Sequence, residues 1–258
     1  VKNLNRLAML APLIIALLFL SYGYASYTVT NLNTTIALNK NNTAQVTELL
    51  DVVVSNASIS QYQTDRVALN LTLSTWQALI GPKLVWHVLN SRLGVQNFRF
   101  LPGPLVMTSG GNGKTVLLML YSISNVTTVE QIAPRAFMYT FNSSVLNFEH
   151  TQIGVVLPKN TTLNIILPRG SIIGQVYPIP DAPANSFSNN YKNITKLSWY
   201  NGEPLSKFSL TYEIHESLGD EVIGFFVGVY NILGVFSYIL VALVIIGLIL
   251  YTYFKASS

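Results

Sequence analysis

The run SGGNGKTVLLMLYSI, residues 109–123, reads in two ways, and the choice between them decides the fold. As a phosphate-binding loop it would need G-x-x-x-x-G-K-[ST] between a strand and a helix. Gly113, Lys114 and Thr115 supply the second half, but the first glycine would fall at position 108, which is Thr108. Downstream, TVLLMLYSI alternates and is rich in β-formers, so it predicts a strand where a P-loop requires a helix. Gly-Gly-Asn-Gly is turn chemistry, able to supply positive φ. The run is read as a hairpin turn, and the nucleotide reading is set aside.

Outward from that hairpin the chain continues in strand language. Residues 27–38 carry β-branched alternation, 45–54 reads as strand or short helix, and 67–73 alternates strictly. One helix is expected over 74–93, where Trp76, Leu79, Ile80, Leu84, Val88 and Leu89 recur at three and four. Ser74 or Thr75 would cap it, Pro82 would kink it or set its true start, and Gly94 would end it. Beyond Gly94, short strands separated by turn residues are expected as far as residue 214.

The ends of the chain are apolar. Residues 222–254 form a run of 33 without a charge, and a bilayer core of about 30 Å needs only ~20 helical residues. A transmembrane helix is expected at 234–254 with an interfacial extension before it. Gly224, Gly228 and Gly234 would let that helix pack closely against a partner helix. At the other end, Lys2 and Arg6 precede an apolar stretch to Ala25, a signal peptide or N-terminal anchor pattern. The division that follows is 1–25 signal or anchor, 26–220 extracytoplasmic β-rich domain, 221–254 membrane helix and 255–258 cytoplasmic tail. The expected fold class is mainly β, a sandwich or antiparallel sheet with one packed helix, plus those two terminal segments.

Eight N-x-[ST] sequons lie in the middle region, at Asn33, Asn41, Asn56, Asn70, Asn125, Asn142, Asn160 and Asn193. They point to an exported protein carrying N-linked glycans. There is no cysteine, which in an exported domain points away from animals and toward archaea or some bacteria. The net charge of +4 and pI near 9.2 do not signal nucleic acid. Residues 26–220 hold 12 Lys/Arg against 10 Asp/Glu, with no basic stripe.

The cadence of LPRG (167–170), VYPIP (176–180), LSWYNG (197–202) and FSLTYE (208–213) resembles the membrane-proximal β-domain of archaeal C-terminally anchored surface proteins. The whole is similar to a small S-layer anchor subunit of the Sulfolobales type. More loosely it looks like ribophorin-type oligosaccharyltransferase subunits. The resemblance implies a β-sandwich standing on a single helix.

Chemistry is sparse. His87, His150 and His215 are scattered, without the spacing of a metal site. No G-x-S-x-G elbow and no paired-carboxylate motif is present. An enzyme would have to gather several of Asp65, Glu149, His150, Glu213 and His215 in one pocket. Trp76, Trp86 and Trp199 are read as packing residues rather than a sugar platform. No catalytic residue, metal or cofactor is assigned.

The expected function is therefore non-enzymatic. The chain is read as a cell-membrane glycoprotein that anchors or braces an S-layer-type envelope assembly. Its partners would be membrane lipid, other envelope proteins and N-linked glycans. The alternatives are an accessory subunit of a respiratory or glycan-transferring membrane complex, and a viral envelope glycoprotein.

Overall fold

In the computed structural model the described residues are 27–68, 72–81, 83–152, 154–183 and 194–234, with 236, 238, 242 and 246. Thirteen strands and three α-helices are found among them. The founding hairpin joins β1 (Tyr27–Leu38) to β2 (Thr43–Val54). β-branched and aliphatic residues alternate with polar ones along both, so one face of each strand is buried and the other half-open. Helices α1 (Ile59–Val67) and α2 (Leu73–Ile80) follow. Then come β3 (Gln96–Pro102), β4 (Val106–Met107), β5 (Gly113–Ser124), β6 (Thr127–Ala133) and β7 (Ala136–Phe141). The short β8 (Glu149–Thr151) and β9 (Gly154–Val156) pair with each other. β10 (Thr161–Ile166), β11 (Ser171–Tyr177), β12 (Lys196–Tyr200), β13 (Ser209–His215) and α3 (Leu218–Leu233) complete the order.

A seven-stranded sheet runs β12-β10-β1-β2-β5-β3, with β4 also on β5; a four-stranded sheet runs β11-β13-β7-β6. Nearly all of the registered pairs are antiparallel, but β1 and β10 run parallel, from Leu32 opposite Thr161 to Ala37 opposite Ile166. The 109–123 run folds as a hairpin. Thr108 N–H donates to Asn112 C=O at 2.8 Å, and Val106 and Met107 pair with Lys114 and Gly113. Gly111 takes φ 79° there, a conformation open to glycine because it lacks a Cβ.

The chain divides into two compact units, Val1–Val129 with Tyr139–Tyr212, and Glu130–Met138 with Glu213–Ser258. In the first, the core includes Ile36, Leu50, Leu117, Met119, Leu163 and Trp199, all fully buried. Trp199 packs edge-on against Phe208 at 5.1 Å, and Phe208 against Phe141 at 5.6 Å. In the second, the turn at Arg135 (φ 65°) offers its C=O to Glu216 N–H at 2.8 Å.

Several expectations need correction. The fold is mixed α/β, mostly antiparallel sheet with a few short helices, rather than a mainly β domain with one packed helix plus a transmembrane helix. The helix expected over 74–93 ends at Ile80, because Gly81 adopts φ 100° and breaks the backbone path. The region 67–73, expected as a strand, instead holds the end of α1 and the start of α2. Thr72 caps α2 by accepting from Thr75 N–H at 3.4 Å.

The membrane reading is corrected as well. Among the described residues no helix is long and apolar enough to cross a membrane. The apolar helix α3 has 16 residues, about 24 Å at ~1.5 Å per residue, short of a hydrocarbon core of about 30 Å. It stops where Gly234 turns to φ 56°. The expected span 234–254 lies almost wholly outside the described residues, as do the signal or anchor segment 1–25, Asn70 and Asn193. With no spanning element described, the cell-membrane localisation and the lipid and envelope partners lose their basis. So do the S-layer anchor, the accessory-subunit reading and the viral-envelope reading.

Replacing Leu117, fully buried at the centre of β5, by alanine should cost about 2–5 kcal/mol. Denaturant unfolding of the full chain would show it as a lower midpoint with an unchanged slope.

Candidate functional site: a buried Glu–His–Tyr cluster beneath a groove

The inward positions of β2 are Ala44, Val46, Glu48, Leu50, Val52 and Val54. Five are apolar; the sixth is a carboxylic acid with no solvent exposure at all. Such a group must find hydrogen-bond donors, because an unpaired buried carboxylate costs several kcal/mol. Glu48 Oε1 accepts the backbone N–H of His87 at 2.9 Å, and Oε2 accepts His87 Nδ1 at 2.6 Å. The Tyr121 hydroxyl donates to Oε1 as well. Tyr121 sits inward on β5, opposite Val46 of β2, and its oxygen accepts Val88 N–H at 3.2 Å. Burial foremost, and then the charge of Glu48, push the Tyr121 phenol well above its ordinary range. It stays protonated, which is the state that can donate.

These bonds hold an irregular segment against the sheet. Its other side is tied by Asn147 N–H to His87 C=O at 2.7 Å, Asn147 Nδ2 to Trp86 C=O at 3.0 Å, and Leu89 N–H to Val145 C=O at 2.8 Å. The His87 ring stacks on Phe148 at 5.5 Å. With the Nδ1 proton directed to Glu48, Nε2 is the ring atom left for a ligand. It has no protein partner among the described residues, and it is not one of the sealed unpartnered atoms.

His87 lines a groove of about 690 Å³ within the first unit. Leu32, Leu50, Val85 and Phe148 give it an apolar lining, and Lys83, Lys159 and Glu149 bring exposed charges. Residues Val29–Leu32 of β1 also line it. Here β1 carries a bulge between Val29 and Asn31, and β10 pairs with β1 only from Leu32 onward. Among the described residues no strand is registered against the outer edge of β1 before Leu32. That volume and mixed lining fall within the range of small-ligand sites.

The residues named as candidates from sequence are scattered. Asp65, on α1, accepts Gln61 Nε2 at 2.7 Å. His215, exposed, and Glu213, half-buried, lie 3.5 Å apart and belong to the second unit. Glu149 reaches the groove. No group of three or more potential metal ligands occurs among the described residues. Trp76 and Trp199 are fully buried, while Trp86 is half-buried and meets Phe98 edge-on at 5.8 Å.

Asn41, Asn56, Asn125 and Asn160 are exposed near strand ends. Asn142 accepts Ser144 N–H at 3.1 Å at the start of a 3-10 turn. Asn33 lies inside β1 with its side-chain oxygen accepting Asn164 Nδ2 at 2.7 Å. A Cβ at Gly224 or Gly228 of α3 would meet nothing within 4 Å. Gly234 is the stop of that helix.

Sequence reasoning missed Glu48. Its signal was present: in VTELLDVVV a glutamate occupies the same parity as valines and leucines. His87 was assigned to a helix that does not reach it.

Comparison with protein-family models gives no match, and comparison with curated proteins gives none either. The resemblance to archaeal S-layer anchor subunits and to ribophorin-type subunits is corrected accordingly. No family model carries it, and among the described residues there is no membrane-crossing helix for such a domain to stand on.

Replacing Glu48 by alanine leaves three donors facing a cavity, and should cost about 3–5 kcal/mol. Equilibrium unfolding would measure the loss. Alkaline titration reads Tyr121 together with the other buried phenols. The phenols of Tyr27, Tyr62, Tyr121 and Tyr212 are all raised, chiefly by burial. In the unfolded chain they release protons near pH ~10, so the folded state binds more protons above that pH and stability falls as pH rises. Below it the contribution is fully present. Tyrosinate absorbance should show these four, of 14 tyrosines, ionising at higher pH than exposed phenols, Tyr121 last.

Proposed function

We propose that this chain is a non-catalytic binding protein whose groove takes a ligand with an apolar body and an anionic end, and releases it unchanged. The observation that carries the reading is the fixed imidazole of His87. Glu48 and Phe148 hold the ring from two sides, and it opens on an apolar lining that also carries Lys83 and Lys159. Burial of the ligand body against Val29, Val85 and Phe148 would supply affinity, at ~25 cal/mol per Å² of apolar area. The lysines and Nε2 would fix its orientation by charge and hydrogen bonding.

Octanoate is a suitable probe, with an apolar chain and a carboxylate. The three histidines can be told apart by NMR using His150→Gln and His215→Gln variants. Octanoate should shift the His87 ring signal saturably, and Val85→Trp, which fills the groove, should abolish the shift. Octanoate should be recovered intact after prolonged incubation. Absence of a saturable shift up to about 10 mM, the weak end of measurable affinity, would overturn the reading, and so would chemical conversion of the probe.

A further inference from the structure

The shape of the groove adds something its chemistry alone does not. One wall is a strand edge. β1 is paired to β2 along its whole length, from Tyr27 opposite Val54 to Leu38 opposite Ala44. On its other side β10 covers only Leu32 to Ala37. The five residues before Leu32, about 17 Å of strand at ~3.3 Å per residue, have no registered partner on that side among the described residues. Strand edges of this kind present a row of backbone N–H and C=O groups that template another chain. The bulge at Thr30 falls in this stretch, and bulges commonly mark where pairing changes.

The direction of an added strand follows from β10. The turn Lys159–Asn160 leads directly into it, and Leu32 N–H already donates to Asn160 C=O at 2.9 Å. A chain lying on the line of β10 and parallel to β1 would arrive at this turn with its C-terminus. There a free carboxylate would meet Lys159, with Lys83 on the same groove. An antiparallel chain would bring its amino terminus to the same lysine, like charge against like. One row of its side chains would then enter the apolar lining at Val85 and Phe148, next to His87.

We infer that the groove binds the C-terminal segment of an extended polypeptide, which adds as a strand parallel to the edge of β1 that has no registered strand among the described residues, and places its terminal carboxylate at Lys159 and Lys83. This rests on the groove being a binding site, and it names the ligand class. Main-chain hydrogen bonds to β1 would supply the affinity common to any sequence, and the apolar lining would select the side chains.

The test uses the full chain and a fluorescein-labelled peptide, Ser-Gly-Thr-Val-Thr-Val with a free C-terminus, read by anisotropy. Two controls are the same peptide with a C-terminal amide, and one N-methylated at alternate backbone nitrogens. The free acid should bind roughly fivefold more tightly than the amide, the worth of exposed charge pairs. The Lys83→Ala/Lys159→Ala double variant, altered only at exposed positions, should erase that difference. N-methylation should weaken binding by about tenfold or more, as lost main-chain hydrogen bonds require. Equal binding of acid and amide, or of the N-methylated peptide, would overturn the inference. If the peptide fails while octanoate still shifts His87, this inference falls and the groove reading stands. If both fail, the groove reading falls with it.

Discussion

Burying the carboxyl of Glu48 is the constraint from which the functional half of the molecule follows. A glutamate in the inward register of β2 cannot be left without donors, and neither neighbouring strand supplies enough. Tyr121 on β5 provides one hydroxyl. The remaining bonds come from outside the sheet, from the backbone and ring of His87. The irregular segment around His87 is thus held by hydrogen bonds to this carboxyl, together with the full burial of Leu84 and Val88. Because Tyr121 also accepts from Val88, the segment is gripped at consecutive residues, which fixes its orientation as well as its distance.

That grip gives the groove its floor. Leu50, one inward position along β2 from Glu48, and Val85, two residues before His87, meet in its lining. Its rim comes from elements far apart in sequence: the first half of β1, the 147–149 segment and the turn before β10. The site is therefore a property of the completed sheet. No single motif encodes it, which explains why motif reasoning passed it by.

Much of the sheet was legible in the sequence and little of the site. Alternation in residues 27–38 and 45–54 marks β1 and β2, and the Gly-Gly-Asn-Gly turn marks the β4–β5 hairpin. These are local signals with a period of two. The helix over 74–93 was misread because its three-and-four spacing continues past Gly81, where a backbone φ of 100° overrules side-chain periodicity. The terminal apolar run was read by length alone, and the helix described there closes after 16 residues. The parallel β1–β10 pairing left no trace in the sequence, since nothing local distinguishes a strand that will pair with a distant partner from one that will pair with its neighbour. Glu48 was the exception. Its position among valines and leucines was visible, but its meaning depends on His87, 39 residues away.

The β1–β10 pairing also sets an order of events for the nascent chain. Thr35 and Asn164 face each other across 129 residues of sequence. At ordinary synthesis rates, on the order of ten seconds separate their appearance from the ribosome. During that interval β1 and β2 can form their hairpin, and β5 can join them, yet the whole outer edge of β1 stays bare. The part of that edge with no registered strand among the described residues is the last remnant of a longer one. While the longer edge is open, its unpaired N–H and C=O groups form a template on which a neighbouring chain could pair.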